Sequence, residues 1–130
     1  MVAEQVEQGG PGLDIELAAF AERPARELSL GNRRRVELAR ALASRPSLIF
    51  LDEVLSGLTP GEIEDAIRMV RAIRDEGATI VFVEHVMRAV MALSREIHVL
   101  HHGELIASGA PDEVVRDPAV LECYLGEAAA

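Results

Sequence analysis

The apolar positions along this chain change period several times, and each change marks an element. From Gly31 to Ala43 ("GNRRRVELARALA"), Val36, Ala39, Leu42 and Ala43 share one helical stripe, with Pro46 just beyond its end. The period then collapses into a continuous run, Leu48 to Leu51, bounded by a proline before it and by Asp52 and Glu53 after it. Such a run predicts a strand buried on both faces. After a loop over 54–58, Thr59-Pro60-Gly61-Glu62 reads as a helix start: Thr59 as cap, Pro60 in the first turn, Glu62 bonding back to the cap's own amide. Ile63, Ala66, Ile67, Val70 and Ile73 then fall on one face, and Gly77 ends the helix. A second apolar run, Ile80 to Val83, predicts a second strand that ends in Glu84 and His85.

Strand, crossover helix and strand make a βαβ unit, which requires the two strands to run parallel. Both therefore deliver their polar residues to one carboxyl edge, where open α/β sheets bind ligands. Asp52, Glu53 and His85 are the first functional candidates on that ground. Beyond them, Val86 to Leu93 predicts a helix, and "EIHVLHHGELIASG" a hairpin turning near His102-Gly103. Pro111 to Asp117 and Pro118 to Leu125 read as two short helical pieces. Residues 1–12 read as a flexible leader, Leu13 to Ala21 as a short helix stopped before Pro24, and 127–130 as a frayed tail.

Composition narrows the function classes. At 130 residues and nearly half hydrophobic, the chain has material for one modest core, and we expect a single domain or part of one. A net charge of −9 opposes nucleic-acid binding, which needs a basic face. No apolar run reaches the ~18 residues of a membrane span, and "MVAEQVEQGG" has no signal-peptide pattern, so a cytoplasmic protein is expected. Cys123 is alone and forms no intrachain disulfide. All 13 basic residues are arginine.

Three constellations carry chemistry. A strand ending in Asp52-Glu53 offers one carboxylate to a divalent cation and a second to a water molecule. His85, as a neutral imidazole at the next strand's end, has a donor for a phosphate oxygen. Ser29, Gly31 and Asn32 open a helix whose free amides suit an anion. Arg34 and Arg35 read as a solvated face of that helix, and Arg68, Arg71 and Arg74 as the solvent face of the crossover helix. His98, His101 and His102 lack a carboxylate or cysteine set at ligand spacing, so no metal site is expected there.

Taken in order, these pieces resemble the second half of the nucleotide-binding domain of ABC transporters. "LSLGN" at 28–32 is similar to the ABC signature, usually LSGGQ; "LIFLDE" at 48–53 to Walker B with its following glutamate; "SGLT" at 56–59 to the D-loop; and His85 to the switch histidine. "VEHVMRAVM", the "HHGELIASGAPDEV" hairpin and the terminal "YLGE" look most like importers of branched-chain amino acids. Leu30 and Asn32 depart from the usual glycine and glutamine, Val54 from the proline after Walker B, and Thr59 from the D-loop aspartate.

The resemblance implies an α/β fold, the C-terminal portion of a P-loop NTPase (RecA-like) cassette over residues 13–126, with parallel βαβ strands, flanking helices and a C-terminal β-hairpin. It implies ATP and Mg²⁺ as cofactors, with Asp52 holding the metal, Glu53 polarising the attacking water and His85 contacting the γ-phosphate. Ser29, Gly31 and Asn32 would meet the ATP of a second cassette placed head to tail, and transmembrane permease subunits would be further partners. The location implied is cytoplasmic, peripheral on the inner face of the membrane. No G-x-x-x-x-G-K-[ST] occurs, since the 130 residues contain no lysine, and Gln5 and Gln8 are too early for the Q-loop. The isolated chain is therefore expected to bind ATP weakly or not at all. The alternative is a non-catalytic module that pairs with a full cassette.

Overall fold

The computed structural model describes residue 20 and residues 22–128. The leader and the first expected helix thus lie outside the described residues, apart from Phe20. The chain divides into two compact units between His85 and Val86, and each is described by itself.

In the first unit a single 3₁₀ turn, Ala25–Glu27, leads into α1, Leu30–Leu42. Ser29 caps α1, its Oγ accepting from Asn32 N–H at 3.2 Å. The apolar stripe centres on Ala39, which is buried and packed by Phe20, Val36, Leu42 and Met69, whereas Ala43 is exposed. The next elements are β1 (Leu48–Asp52), α2 (Pro60–Asp75) and β2 (Thr79–Val83). Thr59 and Glu62 form the expected reciprocal cap, and Ile67, Val70 and Ile73 supply the buried stripe of α2. β1 and β2 pair in parallel, Leu48 opposite Thr79 through Asp52 opposite Val83.

The strands correct one expectation. They are buried on one face, not two: Ile49 and Leu51 are covered, while Leu48, Phe50, Val81 and Val83 are exposed. Residues directly opposite in a parallel pair share a face, so these four form one apolar surface. The continuous apolar run is the pattern of a strand covered on both sides, but among the described residues the chain covers one side.

In the second unit α3 (Met87–Leu93) buries Ala89 and Val90. β3 (Ile97–His101) and β4 (Glu104–Gly109) form an antiparallel hairpin with His102-Gly103 as its two-residue loop. Both loop residues have positive φ, +47° and +83°, which matches a primed turn. A register shift between Val99 and Leu100 leaves Ile106 as the extra residue. α4 (Pro111–Val114) and α5 (Pro118–Ala128) both pack against β4 and bury Val114 and Val120. α5 continues past Leu125 to Ala128, into the segment expected to fray. Among the described residues no helix is long and apolar enough to cross a membrane.

Candidate functional site at the carboxyl edge of the parallel strands

The βαβ connection brings Asp52, Glu53 and His85 to one edge. Asp52 is the last residue of β1 and stands opposite Val83, and Glu53 N–H donates to Val83 O at 2.9 Å. His85 follows two residues after Val83. Asp52, Glu53 and His85 are all exposed. The Asp52 and Glu53 carboxylates make no hydrogen bond or ion pair among the described residues, so both face solvent. Glu53 has φ +47°, a left-handed backbone that a glutamate pays to adopt, and it turns the chain sharply off the strand. Residues in such conformations cluster at working sites.

Glu84 is the residue that sequence reasoning passed over. Its side chain is 0 % exposed although it sits between a strand and a loop. Oε1 accepts from Leu55 N–H at 2.8 Å and Oε2 from His85 N–H at 3.3 Å. The loop over 54–58 is thereby tied to the end of β2, beside the candidate carboxylates. A buried acid next to an exposed histidine is the signal, and it is legible only when burial is known.

The same loop reaches the start of α1. Gly57 has φ +77°, and a β-carbon there would fall 3.0 Å from Leu30 Cδ2. Gly31 is buried, and a β-carbon on it would overlap the Glu62 side chain. The turn Ser29–Asn32, the loop and the strand edge therefore form one connected series. Arg33 braces the approach to α1, donating to Leu28 O at 3.1 Å and Arg26 O at 3.0 Å.

Arg35 corrects the reading of a solvated arginine face. Its side chain is 19 % exposed and its guanidinium pairs with Asp65 of α2 at 2.6 Å, so it joins two helices. Arg34 instead pairs within α1, with Glu37 at 2.8 Å. Among the described residues no group of three or more His, Cys, Asp or Glu is placed to hold a metal. Asp52 with one neighbouring carboxylate still suits Mg²⁺, which takes one or two protein carboxylates and fills its shell with water and phosphate oxygens. In the hairpin unit, His98 Nδ1 lies 2.7 Å from Ser108 Oγ and His101 Nδ1 lies 3.1 Å from Cys123 Sγ.

The sequence pattern of the ABC transporter family matches residues 4–56, and that of the branched-chain amino acid ATP-binding cassette transporter matches residues 104–130. The high-affinity branched-chain amino acid transport ATP-binding protein BraF of Pseudomonas aeruginosa is 38 % identical over 116 residues, covering 88 % of this chain and 46 % of BraF. The chain belongs to the ABC transporter ATP-binding family.

LivG of Escherichia coli K12, a protein with the same transport description, is 36 % identical over 115 residues, 88 % of this chain and 45 % of LivG. The lipopolysaccharide export ATP-binding protein LptB of Acidithiobacillus ferridurans is 36 % identical over 114 residues, 88 % of this chain and 47 % of LptB. Among solved structures, an ABC transporter cassette in its ADP conformation superposes with TM-score 0.79 at 33 % identity, over 86 % of this chain and 46 % of that one. A nucleotide-free cassette gives TM-score 0.82 at 29 % identity, over 95 % and 48 %. The chain spans about half the length of the relatives it matches. The fold is that of ABC ATPase cassettes.

Proposed function

We propose that this chain supplies the signature helix, the Walker B carboxylates and the switch histidine of an ATP-driven ABC transporter subunit that takes up branched-chain amino acids. The observation that carries the reading is the shared edge: Asp52 in register with Val83, Glu53 N–H bonded to Val83 O, and His85 two residues on. The solvent-facing Asp52 carboxylate would hold Mg²⁺, which supplies charge neutralisation on the phosphates when bound. Glu53 would orient and polarise the attacking water, and His85 would donate to the γ-phosphate. Ser29, Gly31 and Asn32 would face nucleotide held by a second cassette. Transmembrane permease subunits would hold the assembly at the inner face of the membrane.

No phosphate-gripping lysine loop lies within the 130 residues. Turnover on this reading requires the rest of a cassette, and the apolar surface of Leu48, Phe50, Val81 and Val83 is a seat for it. Supplying a Walker A half-cassette to this chain should restore ATP hydrolysis, and Glu53→Gln should abolish it. Association with a full cassette that is indifferent to Glu53, with no turnover, would favour a non-catalytic module.

A further inference from the structure

The cap of α2 and the opening turn of α1 share one side chain. Glu62 Oε2 accepts from Thr59 N–H and from Thr59 Oγ1, both at 2.9 Å, and Glu62 N–H donates back to Thr59 Oγ1 at 3.4 Å. Those bonds occupy one carboxylate oxygen. The other oxygen and the stem lie over Gly31, where a β-carbon would fall 2.8 Å from Cδ and 3.0 Å from Cγ. Real β-carbons do not approach so closely, so glycine at 31 admits the glutamate. The Thr59 backbone and hydroxyl bonds, with lesser help from the Gly31 amide and the Arg35 charge, hold the Glu62 carboxyl below the usual glutamate range against the opposing effect of desolvation. Arg35 comes from α1 and is itself paired with Asp65, three residues on from Glu62, so α1 and α2 are joined twice in one turn.

We propose that Glu62 is a positioning residue: its carboxylate spans from the Thr59 cap to Gly31 and sets where the Ser29–Asn32 turn stands relative to the loop over 54–58. The functional weight of this rests on the reading of that turn as nucleotide-facing. Glycine at position 31 then has two tasks, to let phosphate approach and to make room for an internal carboxylate.

Glu62→Gln separates the two ends of the bridge. A glutamine oxygen retains the capping bonds to Thr59, but its NH₂ group presents a donor, not an acceptor, to the Gly31 amide. In ¹⁵N NMR of the full 130-residue chain, the Gly31 amide should move together with the directly bonded Thr59 amide through the acid titration range in the wild type, and both should stay flat in Glu62→Gln. Asp65→Asn serves as control for the neighbouring acid and should leave the Gly31 titration intact.

Chemical unfolding of Gly31→Ala, Glu62→Ala and the double variant should show coupling of at least about fivefold in the folding equilibrium constant, because removing the glutamate relieves the overlap. In the reconstituted cassette, Glu62→Gln should lower turnover about tenfold or more through misplacement of the turn. A Gly31 amide indifferent to Glu62, additive unfolding effects, or wild-type turnover in Glu62→Gln would each overturn the proposal. The NMR and unfolding measurements use no nucleotide. A wild-type cassette that fails to hydrolyse ATP would therefore count against the functional reading, and the bridge would still be decided.

Discussion

The Glu84 carboxylate accepts the Leu55 amide at 2.8 Å across 29 residues of chain, with the acid side chain wholly covered. This bond fixes the loop over 54–58 to the end of the neighbouring strand. Glu84→Ala leaves the Leu55 N–H without its acceptor, and hydrogen bonds to charged groups contribute about 1.5–3 kcal/mol. Urea unfolding should show a loss in that range, and hydrogen exchange at Leu55 should accelerate. Glu84→Gln, which retains an acceptor, should lose less.

The buried helix stripe and the open sheet face should respond differently to truncation. Ile73, 1 % exposed, lies in the stripe by which α2 packs, and Ile73→Ala should cost about 2–5 kcal/mol by loss of burial plus a cavity. Phe50 is 70 % exposed on the open sheet face, and Phe50→Ser should leave the unfolding midpoint nearly unchanged. The same Phe50→Ser should reduce self-association in sedimentation and weaken association with a supplied half-cassette, since both draw on that face.

Glu62 has a folded pKa below its usual value, with the Thr59 backbone bond as the leading cause. A depressed carboxyl adds stability that is full above the unfolded value, about 4.3 for glutamate, and is lost as pH falls through the folded one. Melting temperature should therefore decline on acidification across that window. Glu62→Gln should flatten the decline, and an equally steep profile in that variant would count against this linkage.

Glu53 combines a left-handed backbone with an exposed carboxylate. Glu53→Gly relieves the conformational penalty of about 1–2 kcal/mol and should raise stability in thermal unfolding. In a reconstituted cassette both Glu53→Gly and Glu53→Gln should cut turnover by about 10²–10⁴, the usual contribution of a positioned general base. A strained residue that is better for folding when replaced and worse for turnover is the signature of a site held for its chemistry.

Isothermal calorimetry on the unaccompanied chain should detect no micromolar Mg-ATP affinity. The Asp52 carboxylate and the amides at Ser29–Asn32 are present, but no lysine loop within the chain cradles the β- and γ-phosphates. Micromolar binding would refute the division of labour proposed above.

Much of this architecture is local and hence legible along the chain. The Thr59–Glu62 box, the Ser29 cap, the parallel pair and the His102-Gly103 turn all follow from neighbours within a few residues or from the two strands' connection. For the same reason Asp52, Glu53 and His85 could be assigned to one edge before any distance was known. Periodicity, however, reports what a strand is suited to have on its faces, not what covers them. The run Leu48–Leu51 reads as doubly buried, and the bare Phe50 is a tertiary fact.

Long-range pairings escape the sequence for a different reason. Glu84 with Leu55, Arg35 with Asp65, and Glu62 with Gly31 join residues about thirty positions apart, and each charged partner looks along the chain like any other surface charge. Periodicity and capping chemistry determine which segments become helix and strand, because those preferences act between neighbours. Packing α1 and α2 together decided that Arg35 would pair with an acid instead of water, and that Gly31 would face a carboxylate where a side chain has no room.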